Sequence, residues 1–225
     1  MDRYNFDFGY KAAIFDFDGT IIDSMGFWAD LAPSYFEKYG LPRPDFVNEN
    51  FYKLKLCDSA RLIQKECFPE FEGDRVFEEW KAEADYNYGH VLPPKPNAEK
   101  FLRELKARGI GLCIATLTDK HHIEMVLRRF GWEDIFDFTL TVAEVGKTKD
   151  YPDIYLECAK RFSLTPQECC VFEDTPSALE TVKNADFGYM FVIDSAWKAR
   201  GVTTTYEPSF YDYSELLDGT VKFSK

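Results

Sequence analysis

Lys11-Ala12-Ala13-Ile14-Phe15-Asp16-Phe17-Asp18-Gly19-Thr20 is the stretch on which the reading of this chain turns. Ala12 to Phe15 are apolar without alternation, the pattern of a strand buried on both faces in a parallel sheet. Asp18-Gly19-Thr20 then turns the chain away. Asp16 and Asp18 lie two residues apart, so the strand period of two can aim both carboxylates to one side. Two carboxylates at a strand end are costly without a cation between or near them. A hydrogen-bonded strand-end turn, of the kind Asp-Gly commonly makes, would also account for them. The stretch alone leaves both readings open.

Similar runs follow downstream. Ile110–Thr116 reads as a second buried strand, preceded by a helix from about Asn97, a plausible N-cap, to Arg108, with Gly109 as the residue beyond its end. A helix with Ile123, Val126, Leu127 and Phe130 on one face comes next and ends at Gly131. Further strands are expected at Phe138–Val142, Cys169–Phe172 and Tyr189–Ile193, with helices at about Asp153–Phe162 and Pro176–Ala185, each near a proline at its start. This alternation predicts an α/β fold, a parallel sheet with helices on both faces, whose ligands sit beyond the carboxyl ends of the strands.

Residues 25–94 break the rhythm. Phe77, Trp80, Ala84 and Tyr88 recur at helical spacing, Asp58-Ser59 can open a helix through Phe68, and Pro33 suggests a kink or break within Phe27–Tyr39. The expected organisation is a core of residues 1–24 and 95–225 with an all-α insert of residues 25–94. Trp28, Tyr35, Phe36, Phe51, Tyr52, Phe77 and Trp80 are expected to form the insert's own core rather than a stacking surface for substrate.

Composition narrows the function. The 225 residues carry 27 Lys+Arg against 39 Asp+Glu, a formal charge of −12, which argues against generic nucleic-acid binding. No apolar run approaches a membrane span, and Met1 to Asp7 show no apolar signal-peptide segment, so the expectation is a soluble, cytoplasmic protein, a monomer or weak dimer without membrane or nucleic-acid partners. Six cysteines without a C-x-x-C pair are expected to be reduced core residues. Only three histidines are present, which argues against a multi-histidine zinc site and weakens any Ser/His/Asp triad. His121 and His122 are expected at the surface. Chemistry by carboxylates and a hard cation is the remaining expectation.

Four segments in order carry a family resemblance. Phe15-Asp16-Phe17-Asp18-Gly19-Thr20 resembles the signature of the haloacid-dehalogenase-like superfamily. Leu112-Cys113-Ile114-Ala115-Thr116 ends on a hydroxyl as the second motif does, Lys149-Asp150-Tyr151-Pro152-Asp153-Ile154-Tyr155 looks like the third, and Val171-Phe172-Glu173-Asp174-Thr175 resembles the fourth. The resemblance covers nearly the whole chain and implies a Rossmann-like core with a helical (C1-type) cap, of the β-phosphoglucomutase and phosphoglycolate-phosphatase-like group. It departs from the pattern where relatives carry glycines in place of Ala178 and Asp186, and where Asp150 replaces the proline usual after the lysine.

The resemblance implies a Mg²⁺-dependent phosphatase acting on a small phosphorylated metabolite through an aspartyl phosphate. Asp16 would be the nucleophile and Asp18 the acid and then the base, a residue the dehalogenase branch lacks. Mg²⁺ would be held by Asp16, the Asp18 backbone carbonyl and Asp174, with Glu173 either a ligand, direct or through water, or only orienting its neighbours. Lys149 and Thr116 would contact the phosphoryl group, with Lys147 competing for the lysine role. Arg43, Lys53, Lys55 and Arg61 are the cations of the insert nearest in kind to a substrate anchor. A phosphosugar mutase is the runner-up, a phosphonate hydrolase using Lys53 or Lys55 is more remote, and a non-catalytic binding protein would be expected to lack a motif residue. None is lost.

Overall fold

A computed structural model describes residues 4, 6–47, 54–199, 201 and 204–223. Phe51, Tyr52 and Lys53 of the expected insert lie outside the described residues. The chain divides into two compact units, Met1–Asp23 with Pro93–Lys225, and Ser24–Leu92.

The Ser24–Leu92 unit is helical, with α1 (Met25–Lys38), α2 (Leu56–Cys67), α3 (Arg75–Tyr86) and a π-helical turn at Asn87–Val91. Its core gathers Tyr35, Phe36 and Trp80 with Ile63, Phe68 and Val76, and Trp28 and Phe77 pack against it. These five expected aromatics are therefore core residues. Of the kink or break that Pro33 suggests, the break does not occur: α1 runs through it. Leu31 and Ala32 before it and Tyr35 and Phe36 after it enter one core, and that shared burial outweighs the lost backbone hydrogen bond. Helix α2 opens at Leu56, earlier than Asp58-Ser59, because Ser59 belongs to its buried stripe with Ala60 and Ile63 and is not free to cap.

The other unit holds six strands: β1 (Ala12–Phe15), β2 (Gly111–Thr116), β3 (Phe138–Thr141), β4 (Cys169–Glu173), β5 (Gly188–Val192) and β6 (Ser209–Phe210). They lie in the order β3-β2-β1-β4-β5-β6, and every neighbouring pair is parallel. Helices α4 (Ala98–Ala107), α5 (Lys120–Phe130), α6 (Val142–Val145), α7 (Asp153–Arg161), α8 (Pro176–Asn184), α9 (Ser195–Ala199) and α10 (Ser214–Leu217) complete this α/β unit. Val142 opens α6 and does not extend β3. Thr141 and Glu144 form a capping box there, with Glu144 Oε2 accepting the Thr141 N–H at 2.8 Å.

The two sheet faces are packed differently. Ala12, Ile14, Cys113, Ala115, Cys169 and Val171 face α7 residues Ile154, Tyr155, Cys158 and Ala159. The opposite parity brings aromatic rings together, with Phe15 and Phe172 stacked at 4.4 Å and Phe101, Phe210 and Tyr213 around Phe172. All six cysteines are free thiols; four are buried, whereas Cys57 and Cys67 on α2 are only half-buried.

His122 departs from expectation: it is 5% exposed, while His121 stays at the surface. Position 122 lies one helical turn before Val126 and so shares the inward stripe of α5. Asn97 does precede α4, but in a left-handed conformation and without capping it; its Nδ2 donates to Asp212 Oδ1 at 2.8 Å.

Asp186, beyond the end of α8, has φ 60°, a left-handed conformation that glycine adopts at least cost. We expect Asp186→Gly to exceed Asp186→Ala in unfolding free energy by about 1 kcal/mol. Chemical denaturation of both variants measures this, and equal midpoints would show that the left-handed backbone carries no strain.

Candidate active site

Strands β1, β2 and β4 are adjacent and in register, with Phe15 level with Ile114 on one side and Phe172 on the other. Their carboxyl ends therefore come together. Asp16 continues the ladder by donating its N–H to Phe172 O at 2.9 Å. Glu173 is the last residue of β4, Asp174 follows it, and Thr116 closes β2. Gly19, at φ 74°, then lets the chain fold back, with its N–H donating to Ile22 O at 2.8 Å.

Lys149 reaches this end of the sheet from the segment before α7. Its Nζ lies 2.6 Å from Asp16 Oδ1 and 2.6 Å from Glu173 Oε1. Tyr155 on α7 donates its hydroxyl to the same Glu173 oxygen at 2.6 Å. Lys147, the competitor, instead pairs with Asp153 Oδ1 at 2.7 Å on the exposed surface. Asp16, Thr116, Lys149, Glu173 and Asp174 are all buried.

Asp18 is placed differently. Its Oδ2 accepts the Thr118 hydroxyl at 2.6 Å, and Thr118 Oγ1 is 2.9 Å from Thr116 Oγ1. The Thr118 N–H also donates to Thr116 Oγ1, at 3.1 Å. Asp18 thus stands beside β2, while Asp16 is held against Lys149 and β4.

Carboxylate oxygens of Asp16, Glu173 and Asp174 lie within 4.8 Å of one another, and all three residues are buried. Against these three negative charges the ion pairs set one ammonium, Lys149, leaving a formal charge of −2. Glu173 Oε2 is buried and accepts no hydrogen bond. An all-oxygen cluster with an orphaned acceptor and two uncompensated charges fits a hard divalent cation. The electrostatics agree. Burial and the neighbouring carboxylates hold Asp174 well above the usual carboxylate range. Burial, opposed by Lys149, pushes Glu173 up to about 7. The flanking carboxylates outweigh burial at Lys149 and keep it charged.

Sequence reading gives no functional role to Thr118, Tyr155 or Lys95. Thr118 carried a signal, since it lies two residues beyond Thr116 at a strand end. Tyr155 looked like any apolar-face residue of α7. Lys95, 1% exposed, donates to Ile193 O at 2.8 Å and sits in the field of Asp23, Asp194 and Asp174; burial lowers its pKa. Of the cations expected in the insert, Arg61 is engaged with Asp74 at 2.7 Å.

Residues 10–186 match a family model described as a haloacid dehalogenase-like hydrolase. The chain belongs to the haloacid dehalogenase-like hydrolases. It is 28% identical over 193 residues to (DL)-glycerol-3-phosphatase 1, mitochondrial, of Arabidopsis thaliana, an alignment covering 81% of this chain and 63% of that protein. It is 27% identical over 180 residues to the phosphorylated carbohydrates phosphatase of Thermotoga maritima, covering 78% of this chain and 81% of that one. Among solved structures, CbbY of Rhodobacter sphaeroides in complex with xylulose-(1,5)bisphosphate superposes with a TM-score of 0.71 at 19% identity, covering 93% of this chain and 99% of that one. That likeness concerns the fold. Among the described residues no helix is long and apolar enough to cross a membrane.

The hydrolase's carboxylate cluster predicts an unusual pH dependence in chelator. Glu173 binds its proton up to about pH 7 when folded, against an ordinary value of 4.5, so the folded state holds more protons between these limits. Its contribution is complete below about pH 4.5 and is lost as pH rises through about 7, and Asp174 acts in the same direction. Denaturation in chelator at several pH values is expected to show this fall, and Glu173→Gln to flatten it.

Proposed function

We propose that this chain, a phosphoric monoester hydrolase of the haloacid-dehalogenase type, cleaves small phosphorylated metabolites by transferring the phosphoryl group to Asp16. The observation that carries the reading is the Asp16 carboxylate at the end of a buried strand, fixed by Lys149 at 2.6 Å and set among further buried carboxylates. Relatives named as phosphatases support it.

In this reading a carboxylate oxygen of Asp16 attacks phosphorus as the bond to the ester oxygen breaks. The departing alkoxide takes a proton from Asp18. Asp18, now ionised, removes a proton from the water that attacks the aspartyl phosphate, releasing inorganic phosphate and restoring both carboxyl groups. Lys149 orients Asp16 and offsets charge on the phosphoryl oxygens, and Thr116 contributes its hydroxyl there. Asp16, Asp174 and the Asp18 carbonyl would hold Mg²⁺, with Glu173 beside them. When bound, the ion supplies positive charge to the phosphoryl oxygens. Glu173 accepts from both Lys149 and Tyr155 through Oε1, which suits an orienting role at that oxygen.

The overall charge of −12 repels anionic substrates, so attraction is local, from Lys149 and the cation. A mutase would need water kept from the phosphoenzyme and a cationic grip on a second phosphate. The stretch holding Glu66, Glu70, Glu72, Asp74, Glu78 and Glu79 favours no such grip, and Glu79 is already paired with Lys38 and Arg75.

Phosphate release from a panel of phosphorylated metabolites is expected to require Mg²⁺ and to stop with chelator. Asp16→Asn should abolish it, and residual kcat above about a hundredth of the parent, a loss below about 3 kcal/mol, would refute the nucleophile assignment. With β-glucose 1-phosphate and catalytic glucose bisphosphate, free phosphate should form faster than glucose 6-phosphate. The reverse order would establish the mutase.

A further inference from the structure

We propose that Thr118 is the positioning residue for Asp18, holding the acid–base carboxylate from the neighbouring strand end; the inference rests on the phosphatase reading above. A threonine hydroxyl has one proton to give. The 2.6 Å separation from Thr118 Oγ1 to Asp18 Oδ2 is the length of a hydroxyl donating to an ionised acceptor, so while Asp18 is ionised the Thr118 proton is committed to it. Without substrate, Thr118 Oγ1 can then only accept from Thr116, across 2.9 Å, a proton that Thr116 would turn to a bound phosphoryl oxygen, and Thr116 Oγ1 in turn accepts the Thr118 N–H at 3.1 Å. The direction of every bond in the knot follows from that one proton.

The consequence is mechanical. Asp18 lies beyond the end of β1 in a segment that folds back at Gly19, and the Thr118 bond ties its side chain to the end of β2. Thr118 is itself only 8% exposed and anchored through its own N–H, so the tether is rigid at the β2 end. An acid–base group must be held to within a fraction of an ångström of the leaving oxygen. Valine at position 118 keeps the shape and removes the tether. It also leaves the Thr116 hydroxyl without its acceptor, hence free to donate to a phosphoryl oxygen, so substrate binding is not expected to weaken.

Leaving-group dependence separates this role from a structural one. An alkyl phosphate needs a proton from Asp18 as its bond breaks, whereas p-nitrophenyl phosphate expels a stable phenolate without one. We expect kcat/KM of Thr118→Val to fall about tenfold or more on the best alkyl phosphate of the panel and less than about threefold on p-nitrophenyl phosphate, as part of the ~10²–10⁴ that general acid catalysis supplies. KM should not rise, and Thr118→Ser should restore the alkyl rate. Thr118→Ala gives the same comparison should valine lower the yield of folded protein. An equal loss on both esters, or none on the alkyl ester, overturns the proposal. Asp18→Asn is the reference. If it discriminates between the esters and Thr118→Val does not, Thr118 has no positioning role. If Asp18→Asn affects both alike, the assignment of Asp18 as acid fails and this proposal with it, whereas the phosphatase reading falls only if the parent releases no phosphate from the panel.

Discussion

The ammonium of Lys149 between Asp16 and Glu173 is the interaction on which the rest of the site depends. Three carboxylates buried within 4.8 Å of one another would repel strongly in a medium of low polarity. A single buried lysine at 2.6 Å from two of them offsets part of that repulsion and fixes their orientation. It does not neutralise the group. Burial first, and the remaining charge deficit second, push the carboxyl pKa values of Glu173 and Asp174 upward, and this electrostatic demand is the physical basis for expecting a divalent cation.

Delivery of these groups follows from strand parity. Ile14 and Val171 point to the α7 face, and two residues of period carry the same direction to Asp16 and Glu173. Small side chains on that face, Ala12, Cys113, Ala115 and Cys169, allow α7 to approach, and from α7 Tyr155 reaches Glu173. On the other face, Phe172, stacked on Phe15, meets Phe101, Phe210 and Tyr213, filling the volume with rings that make little allowance for movement. Tyr213 donates its hydroxyl to Thr20 O at 3.1 Å, so the same ring cluster also steadies the turn after Asp18.

What was legible in the sequence was what a local period encodes. Buried parallel strands appear as unbroken apolar runs, and β1, β2 and β4 lie where such runs predict them, because burial on both faces leaves no room for polar residues. Asp16, Glu173 and Asp174 converge because strand ends converge. The burial of His122 and the continuity of α1 through Pro33 escape the sequence for one reason: both depend on what packs against the helix, and neither residue type announces it. Tyr155 and Lys95 were invisible for a related reason, since a polar tip on an otherwise apolar body is recorded only by its partner. Thr118 lay in view, but hydroxyl spacing does not say which oxygen a proton will choose.

Asp16 and Asp18 are separated by one residue, yet the fold gives them different partners. Asp16 faces Lys149 from the β4 side, among carboxylates, and in the proposed mechanism its charge is the condition for attack. Asp18 faces a hydroxyl, which can stabilise a carboxylate by donating and a carboxylic acid by accepting. A cation beside Asp18 would favour only the ionised form and penalise the proton that an acid must carry. A neutral partner able to reverse its hydrogen bond imposes no such bias. On the proposed mechanism, the division between a lysine for the nucleophile and a threonine for the acid–base group follows from what each carboxylate must do: one stays charged, and the other changes its protonation within each turnover.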